Sequence, residues 1–129
     1  MARQANGELV ILDGAMGTGT RRSSGRSGSG NIAIIRMIKS PDLIRTIYFD
    51  YNRAGAGVIT ANSYSCNGPS LGHGGLKGDL MPRATRMAVE LVKDARDSSN
   101  ADGILIAGSL GPLGFDYDPD DVPPFERCL

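Results

Sequence analysis

The side chains able to do chemistry collect at the ends of three short apolar runs. Asp13 closes the first run, Leu9-Val10-Ile11-Leu12, and precedes Gly14-Ala15-Met16-Gly17-Thr18-Gly19-Thr20. A carboxylate there can hold an ammonium, while a glycine-rich backbone lets a ligand approach its N–H groups. The plainer account makes Asp13-Gly14 a tight turn, with Asp13 as its turn or capping residue. The residues alone leave both accounts open. Glycines at 14, 17 and 19 do not form G-x-G-x-x-G, and the Lys of a phosphate-binding loop is missing, so a small nucleotide-binding α/β domain stands only as a third reading. Asn62-Ser63-Tyr64 closes the second run, Gly57–Asn62, and Ser109 follows the third, Gly103–Gly108. Cys66 and His73, the one histidine, fall short of the donors a zinc ion needs.

These polar ends need elements to position them. Branched apolar runs bounded by turn signals read as buried strands. Ile32–Lys39 reads as a short helix with Ile34, Ile35 and Ile38 on one side. Ser40-Pro41-Asp42 starts the next, with Ser40 as cap, Pro41 in the first turn and Asp42 at the positive end of the dipole. Leu43, Ile44, Ile47, Tyr48 and Tyr51 recur at helical spacing up to a stop at Gly55, and both tyrosines read as packing residues. The stretch from Asn62 to Gly78 reads as a long irregular loop. Asp79–Asn100 is the best-patterned helix, with Ala84, Met87, Ala88, Leu91, Val92 and Ala95 along one face. Asp13, Asn62 and Ser109 stand 49 and 47 positions apart (62 − 13 and 109 − 62), each interval holding a loop and a core-facing helix. Successive β-α-β units on a parallel sheet follow from that period, with polar side chains at the carboxyl end each time. The expected fold class is α/β: a partial (β/α)8 barrel of about three βα units.

Composition narrows the partners. The 129 residues suffice for one domain, read here as one partial barrel domain over 1–129. Lys plus Arg equals Asp plus Glu at 14 each, so no net field draws nucleic acid or an anionic membrane. Aromatic residues make up 5% with no Trp, which leaves little for base stacking. Two cysteines, Cys66 and Cys128, make no disulfide framework. With no secretory signal or membrane-length apolar run, the expected setting is cytoplasmic. Residues 21–31, RRSSGRSGSGN, read as a flexible Ser/Gly/Arg surface loop, and residues 115–129 as an acidic, proline-bearing tail unlike a fourth unit.

Five blocks, in order, resemble the N-terminal portion of the homocysteine S-methyltransferase family. Ile11-Leu12-Asp13-Gly14-Ala15-Met16-Gly17-Thr18 is similar to its opening strand and loop, and Ser40-Pro41-Asp42-Leu43-Ile44-Arg45 to its first barrel helix. Asp50-Tyr51 with Ala54 through Tyr64 resembles its DYxxAGADVITTNTY segment. Ala88-Val89-Glu90-Leu91 with Ala95-Arg96-Asp97, then Ala107 through Gly114, complete the match. The resemblance implies methyl transfer from a small donor to the homocysteine thiol, giving methionine, with a zinc ion on three cysteines holding the sulfur as thiolate. By position it gives Asp13 and Gly14 the amino-acid end of homocysteine, and places Asn62 and Ser63 in the same pocket.

The departures are as informative. The family's zinc cysteines lie in the later half of its barrel, and Cys66 and Cys128 match none of them, so zinc is expected for the full-length family without a complete site in this chain. Gly19-Thr20 stand where an acidic and an apolar residue are usual, and Ala56-Gly57 where Ala-Asp is. The chain is therefore expected to be inactive alone. Three parallel strands also leave sheet edges and one apolar face open, so self-association through those edges is expected. A non-catalytic remnant that depends on a partner is the alternative function.

Overall fold

In a computed structural model, residues 9–24, 32–99 and 103–114 are described, with Gly7, Asp120, Pro124 and Glu126 as isolated positions. Helices α1 (Met16–Ser24), α2 (Ile32–Lys39) and α3 (Pro41–Arg53) precede strand β1 (Val58–Thr60). Helix α4 (Gly68–His73), a 3-10 turn at Gly78–Leu80 and helix α5 (Met81–Asp97) then lead to strand β2 (Leu105–Ala107).

The sheet is parallel, with Val58 opposite Leu105, Ile59 opposite Ile106 and Thr60 opposite Ala107. On the other side of β1 a parallel bridge joins Leu12 to Val58, so the opening segment and β2 flank β1. The period in the sequence thus yields the parallel order that it implies.

Two faces of this sheet differ sharply. Ile59 is fully buried and packs with Ile44 and Tyr48 of α3 and with Ala88, Leu91 and Val92 of α5. The apolar stripe of α5 is buried as its spacing requires, with Met87 partly so. Leu12 and Leu105, in one row through Val58, are 66% and 56% exposed. Side chains alternate across a strand, so this row lies opposite Ile59. The expectation that Leu9–Leu12 is a buried strand therefore needs correction: Leu9, Ile11 and Leu12 are exposed, and their backbone forms a single bridge. An apolar run shows that cover is wanted; among the described residues, helices supply it on one face only.

Three local expectations also change. The glycine-rich stretch after Asp13 becomes helix from Met16, and α1 takes in the first four residues of the 21–31 run; residues 25–31 lie outside the described residues. Packing overrides poor intrinsic propensity here. Thr20 is fully buried, and a Cβ on Gly19 would stand 3.0 Å from Ile47 Cγ2, so the missing side chain lets α1 lie close on α3. Ser40 precedes α3 without a side-chain capping bond, leaving Pro41 and Asp42 as the start signals that act. The loop after Asn62 contains α4, capped by Asn67, whose Oδ1 accepts from Ser70 N–H at 2.8 Å. The acidic tail, residues 115–129, lies outside the described residues apart from three single positions.

Substitution on the two faces should separate them. Ile59→Ala should cost about 2–5 kcal/mol in urea unfolding, and Leu12→Ser about 0.5 kcal/mol or less. Equal losses would contradict the one-sided core.

Candidate functional site

Main-chain bonds carry the opening segment alongside β1: Val58 N–H donates to Ile11 O at 3.3 Å, and Asp13 N–H to Val58 O at 2.9 Å. The next rung of a parallel ladder would run from Thr60 N–H to the Asp13 carbonyl. Instead Thr60 N–H donates to the Asp13 side chain, at 2.8 Å to Oδ2, while Thr60 Oγ1 donates to Oδ1 at 3.0 Å. The carboxylate stands in for a backbone acceptor, so the chain leaves the sheet at Asp13 without stranding the Thr60 amide. Gly14 and Ala15 then turn into α1 beneath Tyr51, whose hydroxyl lies 3.4 Å from Ala15 O.

Asn62 sits on the same rim, reached through a buried phenol. Tyr48 Oη donates to Thr60 O at 3.0 Å and accepts from Asn62 N–H at 2.8 Å. One hydroxyl thus holds the backbone on both sides of Ala61, whose own N–H continues the sheet to Ala107 O at 2.9 Å. Burial is the main reason the Tyr48 phenol is pushed far above its usual pKa; the Asn62 N–H opposes the shift, and nearby Asp13 and Cys66 add to it. Tyr48 packs, as its spacing implies, and it also positions. The Asn62 side-chain amide donates to Ala33 O at 3.2 Å.

Ser63 joins the two later loops. Its hydroxyl donates to Ser109 O at 2.6 Å and accepts from Ser109 N–H at 3.3 Å. Asn67 adds a second tie, donating from Nδ2 to Pro112 O at 3.2 Å. The Gly111 backbone lies so close to the Tyr64 carbonyl that a Cβ there would overlap it. Asp13, Asn62, Ser63 and Ser109 therefore share the carboxyl end of the sheet. Their polar groups are engaged with the protein: Asp13 by Thr60, Asn62 by Tyr48 and Ala33, Ser63 by Ser109. Thr60, Asn67 and Gly111 went unnoticed in the sequence, where they carry only ordinary strand-end and turn signals.

Between these loops and α5 lies an open cavity of about 330 Å³, lined by residues including Ser63, Cys66, Asn67, Thr85 and Ser109. Asp13, Gly14 and Asn62 are not among its lining residues. Cys66 is buried, and that burial pushes its thiol up to about 11, against a weaker opposing hydrogen bond with Thr85. A thiol held protonated is a poor nucleophile and a poor metal ligand. His73 is exposed on α4, and Cys128 lies outside the described residues. Among the described residues no three of His, Cys, Asp and Glu gather as a metal site needs. No helix among them is long and apolar enough to cross a membrane.

Gly14 and Gly19 do not face an empty cradle. A Cβ on Gly14 would come within 2.7 Å of Tyr51 Oη, and Gly19 faces Ile47. Side chains thus fill the space beside Gly14 and Gly19, while Gly17 between them faces open space.

A family profile described as homocysteine S-methyltransferase matches residues 10–126. This chain belongs to that family. The homocysteine S-methyltransferase of Escherichia coli strain K12 is 30% identical over 112 residues, covering 83% of this chain and 36% of that enzyme. A selenocysteine methyltransferase of Astragalus bisulcatus is 27% identical over 126 residues, covering 84% of this chain and 37% of its own length. A crystal structure of the E. coli homocysteine methyltransferase MmuM in its metallated form superposes with a TM-score of 0.69 at 28% identity, covering 84% of this chain and 40% of that one. The chain thus spans little more than a third of these relatives.

The raised thiol has a consequence for stability. Below pH 9 the Cys66 thiol is protonated both folded and unfolded; above it, only the unfolded thiol ionises readily until about pH 11. Folding stability is therefore expected to fall as pH rises through that window. Urea midpoints should drop less between pH 8 and 10 in Cys66→Ala than in the unmodified chain. Equal slopes would contradict the burial of the thiol.

Proposed function

We propose that this chain supplies the homocysteine-binding rim of an S-methyltransferase barrel, of which its three parallel segments form the opening units. Asp13 takes the substrate ammonium. Each of its oxygens accepts one bond from Thr60 and keeps a lone pair for a second donor. Gly14 presents backbone to the same end of the amino acid, with Asn62 and Ser63 placed on the same rim beside it. A cytoplasmic setting, a small methyl donor and a role in making methionine accompany this reading.

In the proposed reaction the homocysteine sulfur forms a bond to the methyl carbon as the bond from that methyl to its donor breaks, and the thiol proton is lost. The family's zinc would supply the thiolate. The described residues do not fit that ion, since Cys66 is a single buried thiol held protonated. No step through zinc is therefore assigned to them. This chain's share of the chemistry is to bind and orient. The observation that carries the reading is the family match over residues 10–126, which includes Asp13 and Thr60.

The short parallel sheet, with a single bridge on one side of β1 and only β2 on the other among the described residues, favours a second reading, a non-catalytic remnant that depends on a partner and pairs through its sheet edges. The two readings separate experimentally. Calorimetry with L-homocysteine should show binding to the 129-residue chain, weakened at least about tenfold by Asp13→Ala, the loss of a charge-assisted contact. The chain with added zinc and a methyl donor should give no methionine. Turnover would refute the claim that it acts only in binding. A concentration-dependent mass above monomer without homocysteine binding would select the second reading.

A further inference from the structure

We propose that Thr60 is a positioning residue for this rim: it grips both oxygens of Asp13 and so sets the direction of the carboxylate, while the Tyr48 phenol fixes the backbone on which Thr60 and Asn62 stand. The inference rests on the homocysteine-binding reading for its purpose. Its geometry stands independently.

Four distances carry it. Thr60 offers one donor to each carboxylate oxygen, at 2.8 Å and 3.0 Å, which fixes the plane of the group as a single bond could not. A free carboxylate on a segment with one bridge, next to glycine, would sample several rotamers. Held at two points, it presents its remaining lone pairs in one direction. Behind it, Tyr48 is fully buried and its hydroxyl spans Thr60 O and Asn62 N–H, at 3.0 Å and 2.8 Å. The strand end is thereby anchored to α3, twelve positions earlier in the chain. Tyr48 and Thr60 act in series: the phenol holds the peptide, and the threonine holds the carboxylate. Preorganisation of this kind spares a ligand the cost of ordering its own binding group.

The hydroxyl can be removed without touching the backbone donor. Thr60→Val keeps size, branching and the N–H; Thr60→Ala removes the same hydroxyl if valine disturbs packing; Thr60→Ser restores it. In the unmodified 129-residue chain and in Thr60→Ser, NMR couplings of the Asp13 β protons should report one rotamer. Thr60→Val and Thr60→Ala should give averaged couplings, with unfolding midpoints lowered by the lost hydrogen bond but the chain still folded. L-homocysteine affinity should fall about threefold to tenfold in both and recover to within about twofold in Thr60→Ser, the loss being the cost of ordering a carboxylate no longer held in one rotamer. In Tyr48→Phe, exchange of the Asn62 amide proton should speed at least about tenfold, one hydrogen bond being lost. A single Asp13 rotamer in Thr60→Val would overturn the positioning role, and unchanged Asn62 exchange in Tyr48→Phe would overturn the part given to the phenol. If the unmodified chain does not bind homocysteine, the functional reading of the rim fails, and the rotamer measurement still decides the role of Thr60.

Discussion

Two hydrogen bonds from Thr60 to the Asp13 carboxylate determine how the opening segment meets the rest of the sheet. Parallel strands lack a hairpin to fix their register, since their connections are long crossovers. The opening segment is tied to β1 by one bridge and a few main-chain bonds, and the ladder ends where a side chain replaces the next carbonyl. That replacement lets the chain turn away at Gly14 while the strand-end amide stays satisfied. The same carboxylate is therefore the end of a strand, the start of a turn and a candidate ligand group.

From this point the ties run outward through progressively more exposed contacts. Tyr48 anchors the β1 end from within the core, Ser63 links it to the loop after β2, and Asn67 links α4 to the same loop at Pro112. At the opposite end of the helices, Asn52 Nδ2 donates to Ala95 O at 3.1 Å and joins α3 to one of the last carbonyls of α5. Its Oδ1 finds no partner among the described residues, a buried polar atom left unsatisfied. The surface ion pairs of Arg45 with Asp42 and Asp94 are exposed and add little by comparison.

What the sequence revealed follows from which signals are local. Helix α2 and the buried face of α5 were legible because apolar spacing alone specifies them, and β1 and β2 because branched runs end at polar residues. Gly14 to Thr20 misled because glycine marks a turn and a close approach equally well; only the presence of Ile47 and Tyr51 shows which is meant. Leu9–Leu12 misled because apolarity does not say which face finds cover. Asn52 follows Ile44 and Tyr48 at a spacing of four, on the core face of α3, yet a polar residue there gives no sign of the helix end it bonds. Thr60 lay hidden in the same way. Its partner is 47 positions away, and no short-range pattern records such a bond.

The central claim is that Asp13, Asn62 and Ser109 meet at one end of a parallel sheet. Nuclear Overhauser contacts in the 129-residue chain test it most directly. Cross-peaks between the Thr60 methyl and the Asp13 β protons, and between the Ser63 β protons and the Ser109 backbone amide, are the predicted result. Spectra in which Asp13 has no contact with Thr60 while Ser63 has none with Ser109 would contradict the account.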